Sequence, residues 1–392
     1  MQQAISTTRL TSGALTLGVI LALGLATAQS ALAQTFTVLY AFTGSSDGGY
    51  PYAGLVRDAA GNLYGTTFSG GASNYGVVFK LAGTTETVLH SFAGGNDGIY
   101  SYAGLIRDSR GNLYGTTYEG GSTGYGTVFK VNSNGIETVL YTFAGGTADG
   151  CYPAGGLLRD KAGNLYGTTG YCGASDVGTV FKLSKSGKET VLHSFAGGSS
   201  DGAYPAFTSL IMAKKGKLYG VTEDGGTGGE GVLYVLNSSG TLTLLHSFTG
   251  GTADGCYPLG TPAMDKHGNL YGTTEGCGAS DLGLVWKVSK KGTETLLHSF
   301  AGGASDGAAP LSSVILDAKG NLFGDTQEGG ASGVGTVYEL SKKGTLIVLH
   351  SFSGSDGDYL FGGVIQDAKG NLYGTAPEGG SSGYGTVWKI TK

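Results

Sequence analysis

From Gln34 onward, apolar and polar positions alternate in short runs that never settle into a helical period. Runs of Val, Leu, Tyr and Phe are broken by Gly, Asp and Asn, the pattern of strands joined by tight turns. The runs come in sets of four. In one set, Tyr102 to Arg107 predicts a first strand, and Asp108 to Asn112 a turn whose Asp and Asn bond local backbone while Gly supplies positive φ. Leu113 to Thr117 predicts a second strand, followed by a Gly-rich loop from Glu119 to Gly124. Tyr125 to Lys130 and Glu137 to Phe143 predict the third and fourth, joined by a turn at Asn132 to Gly135.

The set recurs. Gly-Asn-Leu-Tyr-Gly-Thr, with small changes, places its aromatic residue at Tyr64, Tyr114, Tyr166, Tyr219, Tyr271, Phe323 and Tyr373, at steps of 50, 52, 53, 52, 52 and 50 residues. A fixed period of this size marks repeated supersecondary units. Four antiparallel strands per unit, here called A to D, is the signature of a propeller blade. The repeat is also out of phase with the chain. Residues 35–42 read as a D strand, and the last strand, Gly385 to Ile390, reads as a C strand. A closed ring uses that displacement, because the first strand then completes the last blade and leaves no free edge. The expected fold is all-β: a single seven-bladed propeller over residues 34–392. An open β-solenoid is the alternative.

Residues 1–33 stand outside the repeat. Arg9, an apolar run from Ala14 to Ala26, and Ala31-Leu32-Ala33 predict a secretory signal peptide cut before Gln34. The apolar run is short for a membrane span, and no cysteine near the cut suggests a lipoprotein anchor. The expectation is a secreted or periplasmic protein, soluble and monomeric, without a membrane span. Glycine makes up 76 of 392 residues, but no Gly-X-Y period exists. The four cysteines form two pairs, Cys151 with Cys172 and Cys256 with Cys277, each 21 residues apart and at equivalent places in two units. In each pair one cysteine lies in a D-A loop and the other in the next B-C loop. An exported chain favours oxidation, so disulfides Cys151–Cys172 and Cys256–Cys277 are predicted.

Antiparallel strands put the B-C and D-A loops on one face and the A-B and C-D turns on the other. Lysine and arginine fall in or beside the A-B and C-D turns, and the B-C and D-A loops contain none. Those loops carry one Asp-Gly per unit, at Asp47, Asp97, Asp149, Asp201, Asp254, Asp306 and Asp356, together with Glu119, Asp176, Glu223, Asp224, Glu230, Glu275, Asp281, Glu328, Asp358 and Glu378. Tyr50, Tyr100, Tyr152, Tyr204, Tyr257 and Tyr359 follow closely behind the Asp-Gly pairs. Two readings compete. The aspartates are turn devices and the tyrosines wedge between blades; or both form a ligand face, on which rings stack and carboxylates accept hydroxyl protons. Such a face suits a glycan or a cationic partner. Ca2+ is compatible with its oxygen-rich loops, but the EF-hand spacing is absent and no other cofactor is expected. Nucleic acid is excluded by the sign of the loops.

Five histidines, His90, His193, His246, His298 and His350, share one strand-D position with Tyr40 and Tyr141. That interchange argues for packing. No catalytic residue emerges from a repeated position, and the weak candidates are two that break the repeat, Asp224 and Asp325. The segment Leu113 to Lys130, Leu-Tyr-Gly-Thr-Thr followed by a Gly-Gly loop and Tyr-Gly-Thr-Val-Phe-Lys, resembles the GloVer tandem repeat of exported bacterial choice-of-anchor proteins. The resemblance implies an exported repeat protein and supplies no catalytic residues. Those proteins often end in a sorting tail, whereas this chain ends Lys389-Ile390-Thr391-Lys392, so free secretion or periplasmic residence is expected. The sequence supports a binding or scaffold propeller more than an enzyme, with a polysaccharide hydrolase or lyase as the alternative.

Overall fold

A computed structural model describes residues 34–392, and the expected signal peptide lies outside the described residues. The described chain forms seven four-stranded antiparallel sheets. Six are consecutive in sequence; blade 2, for example, comprises Ile106–Arg107, Leu113–Thr117, Thr127–Val131 and Glu137–Thr142. The seventh joins Ile365–Gln366, Leu372–Ala376 and Thr386–Thr391 to the N-terminal strand Thr35–Ala41, which pairs Thr35 with Thr391 and Ala41 with Thr386. The ring is a seven-bladed β-propeller closed by its first strand.

The recurrent hexapeptide explains itself once the strands pair. In the A-B turn of blade 2, Asp108 accepts hydrogen bonds from the Asn112 backbone N–H (2.9 Å), the Asn112 side-chain amide (2.8 Å) and the Tyr114 hydroxyl (3.1 Å). The same lock forms around Asp58, Asp160, Asp265 and Asp367. Arg107, Arg159 and Arg57 then lie over Tyr64, Tyr114 and Tyr373 of the preceding blade, at 5.6–5.7 Å from the ring centres. The glycine of the motif makes room for an aromatic residue. Gly115 pairs with Phe129 on the C strand, and a Cβ added at Gly115 would sit 2.7 Å from that ring. The same Gly-aromatic pairing holds at Gly65–Phe79, Gly167–Phe181, Gly220–Tyr234, Gly272–Trp286, Gly324–Tyr338 and Gly374–Trp388.

These C-strand aromatics are fully buried and receive the edge of a phenylalanine from the preceding blade, as in Phe92–Phe129 (5.2 Å) and Phe352–Trp388 (5.8 Å). The core is therefore distributed as seven clusters, each spanning two neighbouring blades. One of them joins Phe42 and Phe79 to Tyr373 and Val387 and so seals the ring. B-strand threonines add hydrogen bonds across the same seams: Thr66 donates to Ala103 O, Thr168 to Thr208 O and Thr375 to Ala53 O.

Candidate functional site

The loop face is organised by a short ladder in every blade. The D-A segment entering a blade pairs with that blade's B-C loop: Gly49 with Ser69, Ile99 with Glu119, Gly150 with Cys172, Ala203 with Asp224, Gly255 with Cys277, Ala308 with Glu328 and Asp358 with Glu378. Both predicted disulfides form here, with Cα–Cα distances of 5.4 Å for Cys151–Cys172 and 5.5 Å for Cys256–Cys277.

The seven repeated aspartates are engaged by their own loops. Asp97 and Asp201 accept from His90 Nε2 and His193 Nε2 at 3.1 Å, Asp254 from His246 at 3.2 Å, Asp306 from His298 at 3.1 Å and Asp356 from His350 at 2.8 Å. Asp47 and Asp149 accept instead from the hydroxyls of Tyr40 (3.0 Å) and Tyr141 (2.8 Å). Each also accepts a backbone N–H from the start of its loop, from Thr43, Ala93, Ala144, Ala196, Thr249, Ala301 and Ser353 in turn. Burial opposes the charge on Asp254 and Asp306, but hydrogen bonds from the facing histidine and the backbone outweigh it and hold both below the usual carboxylate range. This geometry matches the turn-device reading and explains why Tyr and His interchange in strand D: either can donate to the carboxylate.

The six tyrosines share a property the sequence did not reveal. Tyr50, Tyr100, Tyr152, Tyr204, Tyr257 and Tyr359 all hold φ between 54° and 60°, the left-handed region, and Ala309 takes the place in blade 6 at 51°. There the backbone bridges two blades. Tyr152 N–H donates to Tyr125 O of the preceding blade, while Tyr152 O accepts from Gly170 of its own. Tyr50, Tyr100, Tyr204, Tyr257 and Ala309 repeat that pair of bonds. Their rings stay on the loop surface. Tyr100 stacks on Phe68 at 4.5 Å, and Tyr152 meets Tyr118, Tyr125 and Tyr171 at 5.1–6.0 Å. Tyr257 and Tyr359 are 39% and 43% exposed.

At the axis, seven A strands enclose a central cavity of about 240 Å³ lined by Gly54, Gly104, Gly156, Ser209, Thr261, Ser313 and Gly363. Four rings meet over it in a closed cycle: Tyr52–Tyr102 at 5.5 Å, Tyr102–Phe207 at 5.6 Å, Phe207–Phe361 at 5.4 Å and Phe361–Tyr52 at 6.0 Å. The same rings floor a second cavity of about 320 Å³, whose wall includes Leu259, Leu311, Glu223 and Glu275. The mouth is two-sided. Phe68, Tyr100, Tyr118 and Tyr171 extend the aromatic floor outward over blades 1 to 3. Beside them, Glu223, Asp224 and Glu275 are carboxylates without a hydrogen-bonded or cationic side-chain partner among the described residues.

Burial is the main force on these acids. It raises Glu223, helped by the charges of Asp224 and Glu275; it raises Glu275, helped by Glu328; and it raises Asp224, helped by Glu230. Burial also lifts the Tyr102 hydroxyl to about 12. Neither the B-C nor the D-A loops supply a lysine or arginine to offset the acids.

The two weak catalytic candidates are not brought together. Asp224 lies on the mouth, but Asp325 is 1% exposed inside a B strand, bonded by the Ser312 hydroxyl, with its second oxygen buried and unpartnered. It is out of reach of a ligand on the loop surface. Sequence reading missed the aromatic floor. Its signal was present in the column two residues after the left-handed position, which reads Tyr52, Tyr102, Ala154, Leu259, Leu311 and Phe361, with Phe207 displaced by an insertion.

These features define a disulfide-bearing propeller with one acidic, aromatic loop face. The chain belongs to the Gloeobacter/Verrucomicrobia repeat family, whose model matches residues 7–211 and 206–392. No curated protein matches it. Among solved structures it is similar to the extracellular domain of a protein named as a one-component system from B. thetaiotaomicron, with 12% identity and a TM-score of 0.56 over 91% of this chain and 40% of that one. It is similar to a protein from Bacteroides uniformis named for 6-phosphogluconolactonase, with 16% identity and a TM-score of 0.53 over 80% and 88% of the two chains. A gluconolactonase from Xanthomonas campestris aligns with 16% identity and a TM-score of 0.42 over 72% and 82%. At these identities the likeness is one of fold. Among the described residues, no helix is long and apolar enough to cross a membrane.

Proposed function

We propose that this is an exported binding propeller that takes a glycan at the axial mouth of its loop face, and that the glycan carries a protonated amine. The observation that carries this is the mouth itself, with four aromatic rings on its floor and the unpaired carboxylates of Glu223 and Glu275 in its wall. Sugar rings present C–H faces that lie on aromatic side chains. An ammonium group is drawn both to ring faces and to carboxylates that have no other counter-ion. Asp224, Tyr171 and Tyr257 would extend the surface for a polymer. A site for uronic or phosphorylated sugars needs lysine or arginine, and the loops have none. That absence also argues against transferring the phosphogluconolactone chemistry named for the Bacteroides uniformis protein. Export by a signal peptide within 1–33, and residence outside the cytoplasm, belong to the same proposal; the two disulfides support it.

Polysaccharide cleavage from the same mouth is the second reading. It is favoured by one observation: Glu223 and Glu275 share a cavity and both lie above the usual carboxylate range through burial. Glycoside hydrolysis uses a pair of carboxyl groups, one of them a general acid whose pKa is raised. Calorimetric titration of the mature protein with chitosan, N-acetylated chitin and alginate oligosaccharides tests both readings. Chitosan alone should bind, at least ten-fold more weakly in Glu223→Gln with Glu275→Gln. Alginate binding, or no binding by any of the three, contradicts the proposal; product release on incubation would favour the enzyme.

A further inference from the structure

The outer seam between blades 1 and 2 holds a second juxtaposition, independent of the mouth. His90 lies near the end of the strand Thr85–Ser91, Asp97 in the loop beyond it, and Glu137 at the head of Glu137–Thr142 in the next blade. One imidazole nitrogen and one oxygen from each carboxylate lie within 4.8 Å of one another, the one such trio among the described residues. His90 Nε2 is 3.1 Å from both oxygens of Asp97. Oε1 of Glu137 is buried and has no hydrogen-bond partner.

The other seams show what is particular about this one. The His-Asp contact recurs without a third ligand where Leu242 or Leu346 occupies the Glu137 position, against His193 and His298. A glutamate recurs without the histidine where Glu86 faces Tyr40 and Glu189 faces Tyr141. The fold therefore requires neither residue at its position, yet here both are present. The seam between blades 4 and 5 repeats the three residue types in His246, Asp254 and Glu294, without the same close approach.

We propose that His90, Asp97 and Glu137 form a binding site for a first-row divalent transition ion. One imidazole and two carboxylates suit such an ion better than Ca2+, which prefers oxygen ligands alone. Ligands held at about 2.1 Å from one ion stand roughly 3 Å or more apart, the spacing His90 and Asp97 already have. The Glu137 carboxylate, with an oxygen within 4.8 Å of both, supplies the third ligand. The ligating form is the neutral His90 ring with its proton on Nδ1 and both carboxylates ionised, so a ring protonated only on Nε2 shifts that proton to Nδ1 through solvent, and any further proton on the three groups is released to solvent. Three protein ligands leave positions open to water.

The test is calorimetric titration of tag-free, chelator-treated mature protein with zinc chloride, with calcium chloride in parallel. The proposal expects one zinc ion per chain, and zinc affinity reduced at least ten-fold in both Glu137→Leu and His90→Tyr. Both replacements already occur at the equivalent positions of other blades, so the variants should fold, and their unfolding temperatures check this. His298→Tyr, at a seam without glutamate, should leave binding unchanged. Absence of zinc binding overturns the proposal. So does binding that survives Glu137→Leu and His90→Tyr, or that is lost only in His246→Tyr.

Discussion

Ala309 holds φ at +51° where six other blades place a tyrosine in the same left-handed conformation. The strain is tolerated because the backbone there bonds two blades at once. A residue with a Cβ in this region costs roughly 1 kcal/mol, and Ala309 has no ring contact to offset it. Ala309→Gly should therefore stabilise the protein by about 1 kcal/mol in urea unfolding; a loss of stability would contradict the strain. Asp325 is a second residue-scale case. Burial pushes its carboxyl up to about 7, although the Ser312 hydroxyl bond favours the charge. A folded-state value above the ordinary one means that the group's contribution is fully present below about pH 4 and is lost as pH rises through about 7. Asp325→Thr restores the residue found at Thr66, Thr116, Thr168, Thr273 and Thr375, which donate to carbonyls of the next blade. The variant should gain more in unfolding temperature at pH 8 than at pH 5; an equal or opposite effect would show that the carboxyl is not held protonated.

At the scale of elements, the B strand is built around a glycine that its own C strand needs. A methyl at Gly115 would lie 2.7 Å from Phe129 and 2.9 Å from Leu105, both buried. Gly115→Ala should cost about 2 kcal/mol by overpacking, read from the shift in urea midpoint at constant m-value; a change within error would show that the seam is loose. Strand order, the Asp-Asn turn and both cysteine pairs were legible in the sequence because they depend on local spacing. The disulfides close 21-residue separations between the two halves of a loop ladder. Replacing Cys256 and Cys277 by serine should destabilise by about 3 kcal/mol in the chain-entropy model, whereas full stability in the double variant would mean that the ladder alone holds the loops. The positive φ of the tyrosines was not legible, because it arises from hydrogen bonds to the preceding blade. Nor was the aromatic floor, since Tyr52, Tyr102, Phe207 and Phe361 come from four blades and meet only when the ring closes.

For the whole molecule, ring closure converts a sevenfold repeat into one asymmetric mouth. The repeated aspartates and histidines brace their own loops and the C-strand aromatics pack blade on blade, whereas Tyr52, Tyr102, Phe207, Phe361, Glu223 and Glu275 gather at the axis. Glu223 and Glu275 stand in the column that holds Phe68 and Tyr118 in the first two blades, so the rim is aromatic over blades 1 and 2 and acidic over blades 4 and 5. With the charges of lysine and arginine confined to the opposite turns, the loop face offers a single-signed field to an approaching partner. The most direct measurement is a crystal structure of the mature protein soaked with a chitosan oligosaccharide. Sugar density over Tyr52, Tyr102, Phe207 and Phe361, with its amine directed at Glu223 or Glu275, is the predicted result. An empty mouth in crystals whose protein binds the oligosaccharide in solution, or density confined to the lysine-rich face, would contradict it.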